Sequence, residues 1–170
     1  MLRQLTHPVP PLQASRRRRG RFMGEVEHEM AVARPPGEVL PYLLEPDLVR
    51  RWQKRLVEYE FTTPGAPAVG SECRGSILVA GRRIGWRARV IEWDEGGYAL
   101  RSLGNGPAFE LSWRLRAEDA GSRVRYRQWS PAFDGMTGHY VRQLVDRVAR
   151  RDLERLRRLI DGVEEARPGP

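Results

Sequence analysis

Between Gly135 and Gly162 apolar residues recur at helical spacing: Val141, Leu144, Val145, Val148, Leu153, Leu156 and Ile160, with Val163 just beyond. A helix of about 25 residues, rising 1.5 Å per residue, is close to 40 Å long. Asp134 stands where its N-cap is expected and Gly162 near its end. Only one stripe of this helix is apolar, so the rest of the chain has to supply a long surface that covers it.

The preceding segments have the period of a sheet. Phe109, Leu111, Trp113 and Leu115 alternate with Glu110, Ser112, Arg114 and Arg116, the cleanest such pattern in the chain. Val26, His28, Met30 and Val32 alternate with Glu25, Glu27 and Glu29, and Val57, Tyr59 and Phe61 with Glu58, Glu60 and Thr62. Tyr98 and Leu100 face inward against Arg101, and Val124, Tyr126 and Gln128 alternate with Arg123, Arg125 and Arg127. A hairpin is centred on Gly81-Arg82. If Val79 pairs with Ile84, then Ile77 faces Trp86, Gly75 faces Ala88 and Cys73 faces Val90, which gives one apolar surface. Between the first two strands, Pro36 opens a short helix carrying Val39, Leu40, Leu43 and Leu44, and Asp47 is the expected cap of a second that ends near Trp52.

The chain has 170 residues, enough for one domain with a substantial core. Cys73 is the single cysteine, so no internal disulfide forms and a reducing compartment is the simpler expectation. No apolar run reaches the ~20 residues of a membrane-spanning helix, and the first residues lack the order of a secretory signal. A cytoplasmic protein with no membrane span is expected. The formal net charge of +8 is unevenly placed: residues 1–22 hold six arginines and no acid, which leaves +2 for the remainder. Nucleic acid is therefore not an expected partner. The composition of that first segment predicts a disordered basic tail over 1–22, a folded domain over 23–163 and a disordered tail over 164–170. Met23 stands just ahead of the first patterned strand, as an alternative start of the chain would.

The order of these elements is strand, two helices, six antiparallel strands and a terminal helix, an α+β class. Several local signatures accompany it: Ala33-Arg34-Pro35-Pro36-Gly37-Glu38-Val39, then Glu45-Pro46-Asp47 leading to Trp52, Val69-Gly70-Ser71, and Gly121-Ser122-Arg123-Val124. Together they resemble the START-like, or SRPBCC, superfamily in its polyketide cyclase/dehydrase branch, from about Val26 to Gly162. The resemblance implies a helix-grip fold: a curved seven-stranded antiparallel sheet around a long C-terminal helix, with two short helices after the first strand. It also implies a hydrophobic cavity between sheet and helix for lipids, polyketides or quinones. It does not imply one reaction.

The residues expected to line that cavity are Tyr59, Ile77, Trp86, Trp113, Tyr126 and Gln128 from the sheet, and Tyr140 and Leu144 from the helix. Helix residues beyond Val148 are expected to pack directly on the sheet and the short helices. Trp52 is a further large ring expected near a ligand. His28, Tyr59 and Tyr126 are the catalytic candidates, with Gln128 and His139 as other polar groups within reach of the cavity. Aromatase/cyclases of this resemblance direct an arginine inward from the strand after the central hairpin. Here Arg87 and Arg89 follow Trp86, and the register sends both outward. No metal cluster, phosphate loop or nucleophile triad is present, and no cofactor is expected.

Three functions follow: a carrier or binding domain for a small apolar ligand, a polyketide cyclase or dehydratase-like enzyme, or an interaction module using the arginines of the outer sheet face. Removal of residues 1–22 is expected to leave the melting midpoint nearly unchanged, because the segment has no apolar face to bury. A drop of about ten degrees in a thermal melt would contradict this.

Overall fold

The computed structural model describes residues 24–162. The expected tails, together with Met23 and Val163, lie outside the described residues. Seven strands form one antiparallel sheet: β1 (Glu25–Val32), β2 (Leu56–Phe61), β3 (Glu72–Val79), β4 (Arg82–Asp94), β5 (Gly97–Ser102), β6 (Glu110–Glu118) and β7 (Gly121–Trp129). Their order is β1-β7-β6-β5-β4-β3-β2. Helices α1 (Pro36–Leu44) and α2 (Pro46–Trp52) connect the two edge strands, and α3 (Gly135–Ile160) closes the chain after a 3₁₀ turn at Pro131–Phe133.

Proline sets both short helices. Pro36 occupies the first turn of α1 and holds Pro35 extended before it. Pro46 does the same for α2, so Glu45 rather than Asp47 is the cap residue, and Asp47 lies inside the first turn. Asp134 is the N-cap residue of α3, without a side-chain capping bond.

Two registers differ from the sequence expectation. Val79 pairs with Arg82 and Ile77 with Ile84, so the hairpin turns on two residues. Ala80 (φ 48°) and Gly81 (φ 76°) both adopt positive φ, the tight turn whose twist matches its strands. The shift is two residues, so every side chain keeps its face. Trp86 consequently lies opposite Gly75 rather than Ile77, and a Cβ on Gly75 would stand 2.4 Å from the indole. In β2 an irregularity between Leu56 and Glu58 turns Val57 outward, 40 % exposed, while Tyr59 and Phe61 stay on the inner face.

The core is organised by a row of rings that crosses five strands: His28, Tyr126, Trp113, Tyr98 and Trp93 are successive cross-strand partners. Trp113 stacks on Tyr126 at 4.8 Å and receives Trp52 of α2 edge-on at 5.7 Å. Trp52 Nε1 donates to Tyr42 O at 2.9 Å, and Tyr98 Oη donates to Leu43 O at 2.7 Å, which fix the short helices over the row. Leu153, Leu156 and Ile160 of α3 are buried, as expected for direct packing beyond Val148. Arg34 Nε donates to Ile160 O and Ala33 N to Asp161 Oδ1, so this end of α3 is tied to the loop after β1.

The convex face carries a lattice of ion pairs. Arg125 and Arg127 meet Glu25, Glu27 and Glu29; Arg114 meets Glu92 and Asp94; Arg87 and Arg89 share Glu72. Each such exposed pair contributes only about 0–1 kcal/mol. Together they use up much of the positive charge that an acidic partner would require.

Because Trp113 is only 2 % exposed and touches rings on both sides, Trp113→Ala is expected to cost about 3–5 kcal/mol in urea unfolding. A change below about 0.5 kcal/mol would place the ring at the surface.

Candidate functional site

The concave face divides at the ring row. One end holds Val32, Val124, Leu115 and Ser122, all buried, and there α3 lays down Leu156 and Ile160. Ser122 Oγ donates to Arg34 O, which closes that end further. At the other end β7 runs into the 3₁₀ turn, and Ser130 Oγ donates to Ala108 O at 2.7 Å, so the start of α3 and the start of β6 share one side of the sheet.

At that end the rings are close to one another but incompletely covered. Trp86 meets Phe109 edge-on at 5.8 Å and Tyr59 at 6.0 Å, and Tyr59 meets Phe61 at 5.7 Å. Phe61, Trp86, Phe109, Leu111, Ile77 and Gln128 are half-buried. Val141 and Val145 turn toward the core, and a residue one position earlier on a helix points about 100° away. Tyr140 is therefore 72 % exposed and Leu144 44 % exposed, with Met136 in the same line at 90 %. These two helix residues do not join Tyr59, Trp86 and the rest around an enclosed pocket, as the sequence had suggested. Trp113 and Tyr126 belong instead to the sealed middle row, 2 % and 8 % exposed.

Two pockets occur elsewhere. One of about 200 Å³ is lined mainly by convex-face residues, among them Ile91, Ala99, Ser112 and Trp129. Another of about 300 Å³ sits beside β2 between Arg50, Glu58, Tyr59, Glu60 and Arg74. Only Tyr59 of the expected lining set borders either of them.

The polar groups on the inner face fall into three arrangements. His28 Nε2 lies 3.0 Å from Asp146 Oδ1 of α3, a contact that lacks the direction of a hydrogen bond. Tyr126 Oη donates to Gln128 Oε1. Asp152 of α3 accepts from Arg155 Nη1 at 2.7 Å and from the Lys54 backbone N–H. Burial nonetheless raises its carboxyl to about 6, against the opposing pull of Arg155 and Arg55. Asp152 escapes a reading of the sequence because it sits beside the apolar stripe in a helix rich in charge. The i,i+3 pair with Arg155 is its only local signal. His139 is exposed and bonds Gln143.

Cys73 is buried, its Sγ 3.7 Å from Ala88 O, and burial pushes its thiol up to about 12, with Glu72 adding to the shift. It has no nucleophilic character near neutral pH. Arg87 and Arg89 both point outward to Glu72. The bulge in β4 lies between Val90 and Glu92, beyond Arg89, and so does not turn that guanidinium inward. Among the described residues no cluster of three or more metal-ligating side chains occurs.

The family model for polyketide cyclase / dehydrase and lipid transport matches residues 23–161. TTHA0849 of Thermus thermophilus is similar in structure, with TM-score 0.67 and 19 % identity, covering 83 % of this chain and 99 % of that one. Protein MLL2253 of Mesorhizobium loti aligns with TM-score 0.64 and 18 % identity, over 82 % and 98 % of the two chains. The di-domain ARO/CYC BexL from the BE-7585A biosynthetic pathway aligns with TM-score 0.66 and 20 % identity, over 84 % of this chain and 48 % of its own. No curated protein matches in sequence. These similarities establish the helix-grip fold.

The raised carboxyl of Asp152 carries a pH prediction. An acid whose folded-state value lies above its ordinary 3.8 favours folding while protonated, and that contribution is lost as pH rises from about 4 through 6. Asp152→Asn cannot ionise. Its urea midpoint relative to wild type is expected to move in the variant's favour between pH 4 and pH 7, and an offset independent of pH would contradict the assignment.

Proposed function

This chain belongs to the polyketide cyclase / dehydrase and lipid transport family, and from that premise we propose that it binds a small apolar molecule, lipid-like, polyketide-like or quinone-like, on the open half of the concave face. The observation that carries this reading is the incomplete cover of Phe61, Trp86 and Phe109, rings linked through Tyr59 that remain half-buried beside the sealed core. Apolar rings left partly wet beside a sealed core gain from a ligand that covers them. The single buried cysteine fits a cytoplasmic setting. Among the described residues no helix is long and apolar enough to cross a membrane.

A cyclase or dehydratase-like activity is the second reading, and Asp152 favours it. Its carboxyl lies in a range suited to proton exchange near neutral pH and within electrostatic reach of Tyr126. Against it stands the outward direction of Arg87 and Arg89, which leaves no guanidinium from β4 to hold a polarised carbonyl. The carrier reading needs neither group.

N-phenyl-1-naphthylamine, an uncharged fluorescent probe, is expected to bind the wild-type protein and to be displaced by a long-chain or polycyclic ligand. Phe109→Arg places a charge among the half-covered rings and is expected to abolish binding while lowering the unfolding midpoint less than Leu156→Arg, which buries a charge in the sealed end. Probe binding by Phe109→Arg equal to wild type would refute this location.

A further inference from the structure

Three tyrosines reach the buried inner face, and their hydroxyls differ in one respect. Tyr98 Oη donates to Leu43 O, and Tyr126 Oη donates to Gln128 Oε1. Tyr59 Oη is buried and has no hydrogen-bond partner among the described residues. Two other buried polar atoms share that description, but each has a carboxylate beside it: His28 Nε2 has Asp146 at 3.0 Å, and Arg127 Nε has Glu27 at 3.3 Å. Tyr59 has nothing comparable. The residue is 8 % exposed, so bulk water does not replace the missing bond.

A stranded phenol destabilises the fold relative to one that is paired, because it gives up its water hydrogen bonds without replacing them. Phenylalanine would fill the same ring space, against Phe61 and Trp86, at no such cost. The neighbouring polar atoms do not relieve it. Cys73 Sγ is directed to Ala88 O and Tyr98 Oη gives its hydrogen to Leu43 O, and neither atom lies within hydrogen-bonding geometry of Tyr59 Oη. Burial holds the Tyr59 phenol far above its ordinary ionisation, so it remains a neutral donor at every physiological pH. Its ring is in contact with the half-covered Trp86, and so it lies at the inner margin of the open half.

We infer that Tyr59 donates its hydroxyl hydrogen to an acceptor oxygen on the bound ligand, which makes that ligand an apolar molecule carrying a carbonyl-type group rather than a plain hydrocarbon. This rests on the proposal that the open half of the concave face is the binding site. The apolar rings supply most of the affinity, and the single donor selects for molecules that complete its hydrogen bond and fixes which end enters first.

The test uses two probes with one ring system: 6-propionyl-2-dimethylaminonaphthalene, which has a ketone, and 2-dimethylaminonaphthalene, which lacks it. In wild type the ketone probe is expected to bind more tightly, with its emission shifted to the red by the hydrogen bond. In Tyr59→Phe its affinity falls about five- to tenfold and the emission moves to the blue, while the probe without the ketone binds within about twofold of wild type. The unliganded variant melts at or above the wild-type midpoint, since it loses a stranded hydroxyl and no bond; a purely structural hydroxyl would lower it. If both probes bind Tyr59→Phe as they bind wild type, or weaken equally, the hydrogen bond is refuted and the cleft stands. If neither binds wild type, the cleft itself is refuted and the inference falls with it.

Discussion

A straight helix laid on a twisted sheet makes close contact over only part of its length, because neighbouring strands rotate by roughly 20–25° and carry the surface away from the helix axis. In this protein the large fully buried side chains of α3 are concentrated at one end. Leu153, Leu156 and Ile160 are driven into the sheet and the short helices, and Arg34 and Ala33 bind the last turn of α3 to the loop after β1. The first half of α3 turns Val141 and Val145 to the core and exposes Tyr140 and Leu144 on its outer side. The ring row from His28 to Trp93 marks the boundary between the two ends.

Much of this architecture can be read from residue order alone. Strict alternation over Phe109–Arg116 and over Arg123–Gln128 admits only a half-buried strand, and the change to helical spacing after Gly135 admits only a long amphipathic helix. The registers are less legible. The Ala80-Gly81 turn depends on a non-glycine residue at positive φ, which no local pattern announces, and the irregularity beside Val57 is decided by how β2 meets β3. A two-residue shift preserves parity, so Ile77, Trp86 and Cys73 lie on the face that alternation assigns them, although Trp86 has a different partner.

The candidate site is legible on the sheet and illegible on the helix. Inward alternation identifies Tyr59, Trp86 and Gln128 as soon as the strands are recognised. The apolar stripe on α3 is broad enough to leave its central line uncertain by one residue, about 100°, and that interval separates the buried Val145 line from the exposed Leu144 line. Asp152 and the unpartnered hydroxyl of Tyr59 have no sequence signature, since both depend on what three-dimensional packing places around them. The arginines show the same limit in reverse. A row of them on alternate positions suggests a cationic surface, whereas Glu25, Glu27, Glu72 and Glu92 lie across the strands to pair with them.

The claim that α3 grips one end of the sheet and leaves the other open is tested most directly by amide hydrogen exchange along the helix, with and without N-phenyl-1-naphthylamine. Slow exchange over 149–160 and exchange at least about tenfold faster over 139–146, with the probe slowing the faster half and the Trp86 region of β4, is the expected result. Uniform protection along α3, or a probe effect confined to the Leu156 end, would contradict it.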